Sequence, residues 1–104
     1  KINASGTMTF IRNSMLTIME KGEVNADDVS FTNGAPAALR NWGTLAVTNT
    51  MILHSGATLY NEGTITSRDI SINSNTKIVN DNKIELEGTL NLPSNFSLEN
   101  NGEI

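Results

Sequence analysis

Side chains with the chemistry of a catalytic site are few in this sequence. His54 is the only histidine, and the chain of 104 residues has no cysteine. Because His54 has no second histidine and no nucleophile beside it, we expect an exposed turn residue rather than a general base. The lack of cysteine excludes a disulfide framework and a thiolate metal site. We therefore expect no catalytic residue and no cofactor.

Composition narrows the choice of partners. Charged residues make up only 17% of the chain, where globular domains have about 25%, and Asn, Thr and Ser supply the remaining polarity. The net charge is -4, and the seven basic residues, such as Arg12, Arg40 and Arg68, are scattered. A nucleic-acid partner is not expected, because phosphate binding needs a concentrated basic surface. No apolar run approaches the roughly 20 residues of a membrane-spanning helix.

One seven-residue motif recurs along the chain, with the pattern apolar, any, Asn, any, Gly, Thr or Glu, apolar. The clear copies lie at residues 39–45, 59–65, 78–84 and 98–104, with Asn82 in the glycine position of the third. Two weaker copies precede them, at residues 18–24 with Glu20 in the asparagine position and at residues 2–8 with Ala4 there. The motif predicts a repeat protein.

The spacing of the motif defines coils of about twenty residues. Gly43 to Gly63 is 20 residues and Gly63 to Asn82 is 19. The interval from Gly6 to Gly22 is only 16, which predicts a short and atypical first coil. The predicted coils of this single domain are residues 1–22, 23–43, 44–63, 64–82 and 83–102.

Alignment of the coils produces columns of apolar residues. It needs one deletion between Arg68 and Asp69 and a two-residue insertion near Ala35 and Pro36. The columns are Met8, Val24, Leu45, Ile65 and Ile84; Phe10, Ala26, Val47, Ser67 and Leu86; Val29, Met51, Ile70 and Leu90; Phe31, Leu53, Ile72 and Leu92; and Leu39, Leu59, Ile78 and Leu98.

Apolar residues within a coil lie two apart, as at Leu45 and Val47, which is the period of a strand whose alternate side chains face inward. Each coil is predicted to hold three short strands, separated by Thr48 and Asn49, by residues 54–56 and by residues 61–63. The second break recurs at residues 32–34, 73–75 and 93–95. A single coil cannot bury its own apolar face, whereas stacked coils can. The sequence therefore predicts an all-β solenoid of about five coils.

Four in-register asparagines carry a resemblance to a known family. Asn41, Asn61, Asn80 and Asn100 resemble the asparagine ladder of pectate-lyase-like right-handed parallel β-helices, and the N-x-G-T-[LI] repeat is similar to those of bacterial adhesins and autotransporter passengers. The resemblance covers residues 18–104. It implies right-handed coils, with each asparagine in a tight turn where its amide hydrogen-bonds along the stack. It implies no single activity, because this fold hosts lyases, tailspikes, adhesins and filaments.

The lyases of that family bind Ca²⁺ through clustered acidic side chains beside a basic residue. Asp27, Asp28, Arg68 and Asp69 resemble such a set by residue type. In the alignment, however, Asp28 and Asp69 share a column with the coil that carries Thr50 between them. A solvated ladder of charges is therefore the expectation.

The middle position of the N-x-G turn offers a second group of acids. Glu62 and Asp81 stack there, between Trp42 and Asn101. Two acidic side chains one layer apart could share a cation through oxygen ligands. Nothing in the sequence completes the coordination shell, so these two residues form only an incomplete metal site.

Trp42, the only tryptophan, is predicted to point outward from its turn. An exposed tryptophan stacks on a sugar ring or anchors a protein interface, and the alternative is that it covers a neighbouring turn. Tyr60 lies in the layer beneath Arg40, which favours a cation–π contact. Trp42, Tyr60 and Arg40 are the candidate interface or glycan-contact residues.

Uniform coils and polar outer columns predict a non-enzymatic structural or adhesive module. Because the sequence shows no capping helix, we expect the rod ends to pair with adjoining solenoid segments or, head to tail, with other copies of the chain. The alternative is a carbohydrate-binding or polysaccharide-degrading β-helix with Trp42 as its stacking platform. The resemblance implies an extracellular or cell-surface location on bacteria.

Overall fold

The computed structural model describes residues 1–11, 13–31 and 37–104. All regular secondary structure in these residues is strand. The strands are β1 (Ile2–Phe10), β2 (Met15–Ile18), β3 (Glu23–Phe31), β4 (Ala37–Asn41), β5 (Thr44–Leu53), β6 (Ala57–Asn61), β7 (Thr64–Ile72), β8 (Lys77–Asn80), β9 (Lys83–Leu86), β10 (Leu90–Asn91) and β11 (Ser97–Asn100). Arg12, the predicted turn at residues 32–34 and the predicted insertion near Ala35 and Pro36 lie outside the described residues.

The strands form two parallel sheets. The first sheet has the order β1-β3-β5-β7, with β9 and β10 both paired to β7. The second sheet has the order β2-β4-β6-β8-β11. Each strand thus pairs with its equivalent one coil later, which confirms the prediction of an all-β solenoid of about five turns. The right-handed sense of the coils stays a prediction.

The register of the later coils agrees with the sequence alignment. Leu39, Leu59, Ile78 and Leu98 lie opposite one another in consecutive strands of the second sheet. In the first sheet the pairing shifts by one residue between Val47 and Thr50, at the deletion that the alignment required. The coils therefore stack with equivalent residues in line.

The first two predicted strands of a coil are joined in most coils. β5 runs through the predicted break at Thr48 and Asn49, where the register shift marks a β-bulge. Similar shifts interrupt the pairing of β1 with β3 and of β3 with β5. Among the described strands, the break separates two of them in the last coil alone, β9 and β10. In the earlier coils the strand continues through the bulge.

The first coil differs from its predicted register. Met8 pairs with Val29 rather than Val24, and Phe10 pairs with Phe31, its ring stacked at a centroid distance of 4.6 Å. The reason is that Gly6 does not occupy an N-x-G turn. It lies within β1 at the bulge, with φ +95°, a conformation that glycine adopts without steric cost. The weak motif copy predicted at residues 2–8 is therefore wrong.

The first turn also differs from the prediction. Ile18, not Glu20, lies opposite Asn41, so the asparagine position of the motif copy predicted at residues 18–24 is wrong. The end of that copy is confirmed, because Glu23 and Val24 pair with Thr44 and Leu45. Four residues separate Ile18 from Glu23 in this turn, where two separate Asn41 from Thr44. With β1 of nine residues, the coil is not short. The first turn is therefore longer than the later turns, although the glycines at the end of both lie at equivalent positions.

Inward-facing side chains fill the space between the sheets. Leu39, Leu59 and Ile65 are completely buried. Ser67 is also buried within its apolar column, and its hydroxyl donates to the carbonyl oxygen of Asp69 at 2.8 Å. Every buried polar side-chain atom in the described residues has a hydrogen-bond partner. The interior is therefore apolar, with its few polar groups satisfied.

The same inward columns reach the first and the last of the described coils, and their outer faces are here called the N-terminal and C-terminal end faces. At the N-terminal end face Ile2 is 50% exposed. At the C-terminal end face Leu92 is 49% exposed. Met8 and Leu16 share the first face with Ile2, and Leu86 and Leu90 share the second with Leu92; all four are partly buried.

Candidate functional site

The predicted asparagines form one continuous side-chain ladder. The Nδ2 of Asn41 donates to Oδ1 of Asn61 at 2.9 Å, and Asn61 donates to Asn80 at 2.8 Å. Asn80 in turn donates to Asn100 at 2.8 Å. Asn41, Asn61 and Asn80 are at most 1% exposed, whereas Asn100 is exposed at the end of the stack. All amides of the ladder therefore point their donors in the same direction along the rod.

Each ladder amide also serves the backbone of the turns. Asn61 Nδ2 lies 3.2 Å from the carbonyl oxygen of Gly63 in its own turn and 2.8 Å from that of Lys83 in the next layer. The Oδ1 of Asn41 accepts the N–H of Gly43 at 3.2 Å. Asparagine suits this position because one side chain supplies both donors and an acceptor.

Glycine at the end of the turn is required by close stacking. A Cβ on Gly63 would overlap the carbonyl oxygen of Gly43, and a Cβ on Gly102 would overlap that of Asn82. The exception, Asn82, directs its amide to the carbonyl oxygen of Gly63 at 2.9 Å. The turns thus pack backbone against backbone, and this brings the side chains at the middle position of each turn into one outward column.

That outward column carries the residues predicted as an incomplete metal site. Backbone hydrogen bonds stack the turns, from Glu62 N–H to Asn41 at 2.8 Å and from Asp81 N–H to Asn61 at 2.8 Å. Asp81 uses Oδ1 to accept the side-chain amide of Asn101 at 2.9 Å. Within the described part of the chain, no three His, Cys, Asp or Glu side chains lie together as metal ligands would.

A second outward column runs beside the first along the middle of the second sheet. Its members in consecutive coils are Thr17, Arg40, Tyr60 and Val79. The guanidinium carbon of Arg40 lies 5.0 Å from the centroid of the Tyr60 ring, within cation–π distance. The guanidinium thus lies over the Tyr60 ring on the outside of the sheet.

Two depressions lie between these columns and meet at Trp42. One, of about 250 Å³, extends from Trp42 towards the last coil and is lined by Arg40, Trp42, Tyr60, Asn61, Glu62, Val79 and Asp81. The other, of about 460 Å³, extends towards the first coil and is lined by Met15, Thr17, Met19, Glu20, Arg40 and Trp42. We name both together the Trp42 groove.

Sequence reasoning found only half of this surface. Trp42, Tyr60 and Arg40 were predicted to share it because they lie in regular coils. Met15 and Met19, which are 61% and 68% exposed, were missed because the register of the first coil was wrong. The signal that would have found them is the alternation of Met15, Leu16, Thr17 and Ile18, which fixes Leu16 and Ile18 as inward.

The acids that resembled a calcium set have structural partners instead. Asp28 accepts the N–H of Thr50 at 3.2 Å, and Asp69 accepts the N–H of Thr89 at 2.8 Å. Both N–H groups lie at the bulge of the first sheet, where a ladder bond is missing. Asp27 likewise accepts the backbone N–H of Gly6, at 2.8 Å. Sequence reasoning treated these carboxylates as solvated and missed this role.

Asp69 is the described carboxylate with a clearly shifted acidity. The N–H of Thr89 and then the hydrogen bond and charge of Arg68, whose Nε lies 3.0 Å away, hold the pKa of Asp69 below its ordinary value of 3.8. Hydrogen bonds to the charged form favour ionisation. Asp69 is therefore an ionised acceptor, unlike a general acid.

The prediction that His54 is an exposed turn residue is wrong, because His54 is partly buried against a neighbour in the next coil. Its Nδ1 lies 2.7 Å from the side-chain nitrogen of Asn73. The pair joins two turns at the corner that follows the first sheet. The structure thus places His54 apart from the acids of the bulge and from the Trp42 groove.

The stacked parallel coils and the ladder make this chain a parallel β-solenoid. No protein-family model, no curated protein and no solved structure matches it. Among the described residues, no helix is long and apolar enough to cross a membrane.

Proposed function

We propose that the chain is a non-enzymatic structural or adhesive module of an extracellular, bacterial surface assembly. It acts as a shaft segment or as a subunit that stacks head to tail, and its partners are adjoining solenoid segments or other copies of itself. The observation that carries the proposal is that the coils stack in register, with each strand paired to its equivalent one coil later. Stacked parallel coils of this kind favour pairing with a further coil of the same pattern.

The side-chain chemistry supports the same reading. Asp28 and Asp69 are engaged by backbone N–H groups at the bulge, so their carboxylates hold the coils in place. The polarity of the outer columns comes mostly from Asn, Thr and Ser, which agrees with an extracellular surface of low charge. Rigid stacking of turns gives a rod suited to spacing or display.

Self-stacking can be tested with two matched end-face variants. Ile2→Glu and Leu92→Glu change residues of nearly equal exposure, 50% and 49%, at opposite ends. The unmodified chain is expected to increase in mass with concentration in light scattering. Each variant alone should stay monomeric, because a charge on one face blocks growth. An equimolar mixture should form dimers, since each variant keeps one intact face of opposite kind.

Two outcomes would contradict the stacking subunit. One is a monomer at every concentration, which leaves the shaft segment as the form of the proposal. The other is association that neither variant changes.

The non-enzymatic role is tested separately by incubation with polygalacturonate, where no unsaturated product is expected. Product formation that Asp69→Asn abolishes would show that the bulge acids are catalytic.

A further inference from the structure

We propose that the Trp42 groove is a binding site for a neutral, unbranched oligosaccharide. The inference deepens the adhesive role proposed above by naming a class of ligand. It rests on that role only because an adhesive module gives a reason for such a site. The groove combines an exposed indole, a second aromatic ring and carboxylates on a rigid sheet. These are the groups that recognise a sugar, which has an apolar face and a rim of hydroxyls.

The indole is positioned for stacking. Trp42 is 39% exposed although its backbone is tied into the stack, where its N–H donates to the carbonyl oxygen of Ile18 at 2.8 Å. The neighbouring layers lie about 4.8 Å apart along the rod. The Tyr60 ring therefore continues the lining of the groove one layer away. Tryptophan and tyrosine have only two side-chain torsion angles to fix, so ordering them on binding costs little.

The charges of the groove select among sugars. Glu20, Glu62 and Asp81 line it against the single positive charge of Arg40, which is already stacked on Tyr60. A net charge of -2 repels uronic acids, whereas carboxylates accept hydrogen bonds from neutral hydroxyls. The ligand class is therefore a neutral glycan rather than the polyuronate that lyases of similar fold cleave.

The direction of the groove favours an extended ligand. It crosses the layers from Met19 in the first coil, past Trp42, to Asp81 three turns further along the rod. The outermost of these layers are about 14 Å apart, at 4.8 Å per layer. A linear chain of several pyranose units lying along the rod axis would use both depressions, whereas a monosaccharide would use only the part beside Trp42.

The test uses the full chain and the emission of Trp42, its single tryptophan. The probes are cellotetraose and chitotetraose as neutral chains, and tetragalacturonate as the acidic one. At least one neutral probe is expected to shift the Trp42 emission and to give a saturable heat signal in calorimetry. Trp42→Ala should weaken that binding by about tenfold or more, and Trp42→Phe should retain most of it.

Ile11→Ala is the matched control, because it removes an exposed apolar side chain that lines neither the groove nor an end face named above. It should bind as the unmodified chain does. Circular dichroism of every variant verifies the fold.

Glu62→Lys should add affinity for tetragalacturonate, since it removes the excess negative charge. The light-scattering behaviour at the end faces should not change in Trp42→Ala, which separates this test from that of the stacking proposal.

Three results would overturn the site. The first is absence of binding to both neutral probes by the folded chain. The second is tighter binding of tetragalacturonate than of either neutral probe. The third is self-association that requires Trp42 without any sugar, which would make a second copy the occupant of the groove.

Discussion

The turns of the later coils and the turn of the first coil supply a hydrogen-bond acceptor for the glycine N–H in different ways. In the later coils the N–H of Gly43 or Gly102 is accepted by the Oδ1 of an asparagine two residues earlier. In the first coil the turn is longer, and the N–H of Gly22 is accepted by the backbone carbonyl of Met19 at 2.8 Å. Ile18 then takes the asparagine position and is 3% exposed.

The backbone hydrogen bonds between the layers are kept where isoleucine replaces asparagine. Trp42 N–H donates to Ile18 at 2.8 Å, just as Glu62 N–H donates to Asn41 at 2.8 Å. The comparison teaches that backbone pairing between turns does not require asparagine. The asparagine is needed where the turn is too short to satisfy its own polar groups, because buried N–H and C=O groups need partners.

The largest effect is expected in the core of the regular coils. Leu59→Ala removes a completely buried side chain with a coil on either side, and it should lower the free energy of unfolding by about 2–5 kcal/mol. Leu16→Ala, in the partly exposed core of the first coil, should cost clearly less. Denaturant unfolding of both variants measures the difference. Equal losses would mean that the first coil is covered in solution.

The next effect concerns the glycine of the turn. Gly63→Ala places a Cβ against the carbonyl oxygen of Gly43, which belongs to the backbone of the layer above. The layers must separate locally, with an expected cost of about 1–3 kcal/mol. At Gly22 the added Cβ would lie 2.9 Å from the carbonyl oxygen of Met19, a less severe contact, so Gly22→Ala should cost less. Thermal unfolding of the pair tests this order.

Removal of a ladder amide should depend on its depth in the stack. Asn61→Ala removes the 2.9 Å acceptor of the buried Asn41 amide and the amide donor that reaches the Gly63 and Lys83 carbonyls. The Gly63 carbonyl keeps the Asn82 amide at 2.9 Å as a donor. The expected loss of unfolding free energy is about 1–3 kcal/mol. Asn100→Ala also removes an acceptor, that of Asn80 at 2.8 Å, but Asn100 is exposed and water can take its place, so the expected change is no more than about 0.5 kcal/mol. A similar loss at both positions in chemical denaturation would contradict the role of the buried amides.

The smallest effect is the pH dependence contributed at the bulge. Because the folded-state pKa of Asp69 lies below 3.8, its ionised form stabilises the fold above that value. The contribution should disappear as the pH falls through the lowered pKa. The stability difference between the unmodified chain and Asp69→Asn should therefore be constant near neutrality and shrink in acid. A difference that grows in acid would contradict the assignment.

The regular coils could be predicted from the sequence because their periodicity is visible in residue types. Leu59 and its counterparts recur at near-constant spacing, and the asparagines recur with them. The first coil could not be predicted in this way, since glycine has more than one use. Gly6 serves the bulge with a positive φ, whereas Gly63 serves the close approach of two turns. The residue type alone does not separate these uses.

The candidate site shows the same division. Trp42, Tyr60 and Arg40 follow from the column alignment, whereas Met19 depended on a turn length that the alignment missed. The role of the acids also escaped, although the sequence carries a signal for it. Asp28 and Asp69 alternate with threonines in one column. Each acid therefore lies beside a coil that has a threonine, and not a second acid, at the equivalent position. Only the bulge geometry explains why a carboxylate is useful there.

Hydrogen exchange of the asparagine side-chain amides tests the central claim most directly, because it perturbs nothing. In a nitrogen-resolved NMR spectrum, the Nδ2 protons of Asn41, Asn61 and Asn80 should exchange slowly with water, since these residues are buried and donate along the ladder. Those of Asn100 should exchange rapidly. Fast exchange at all four positions would contradict the ladder and, with it, the stacking of the turns.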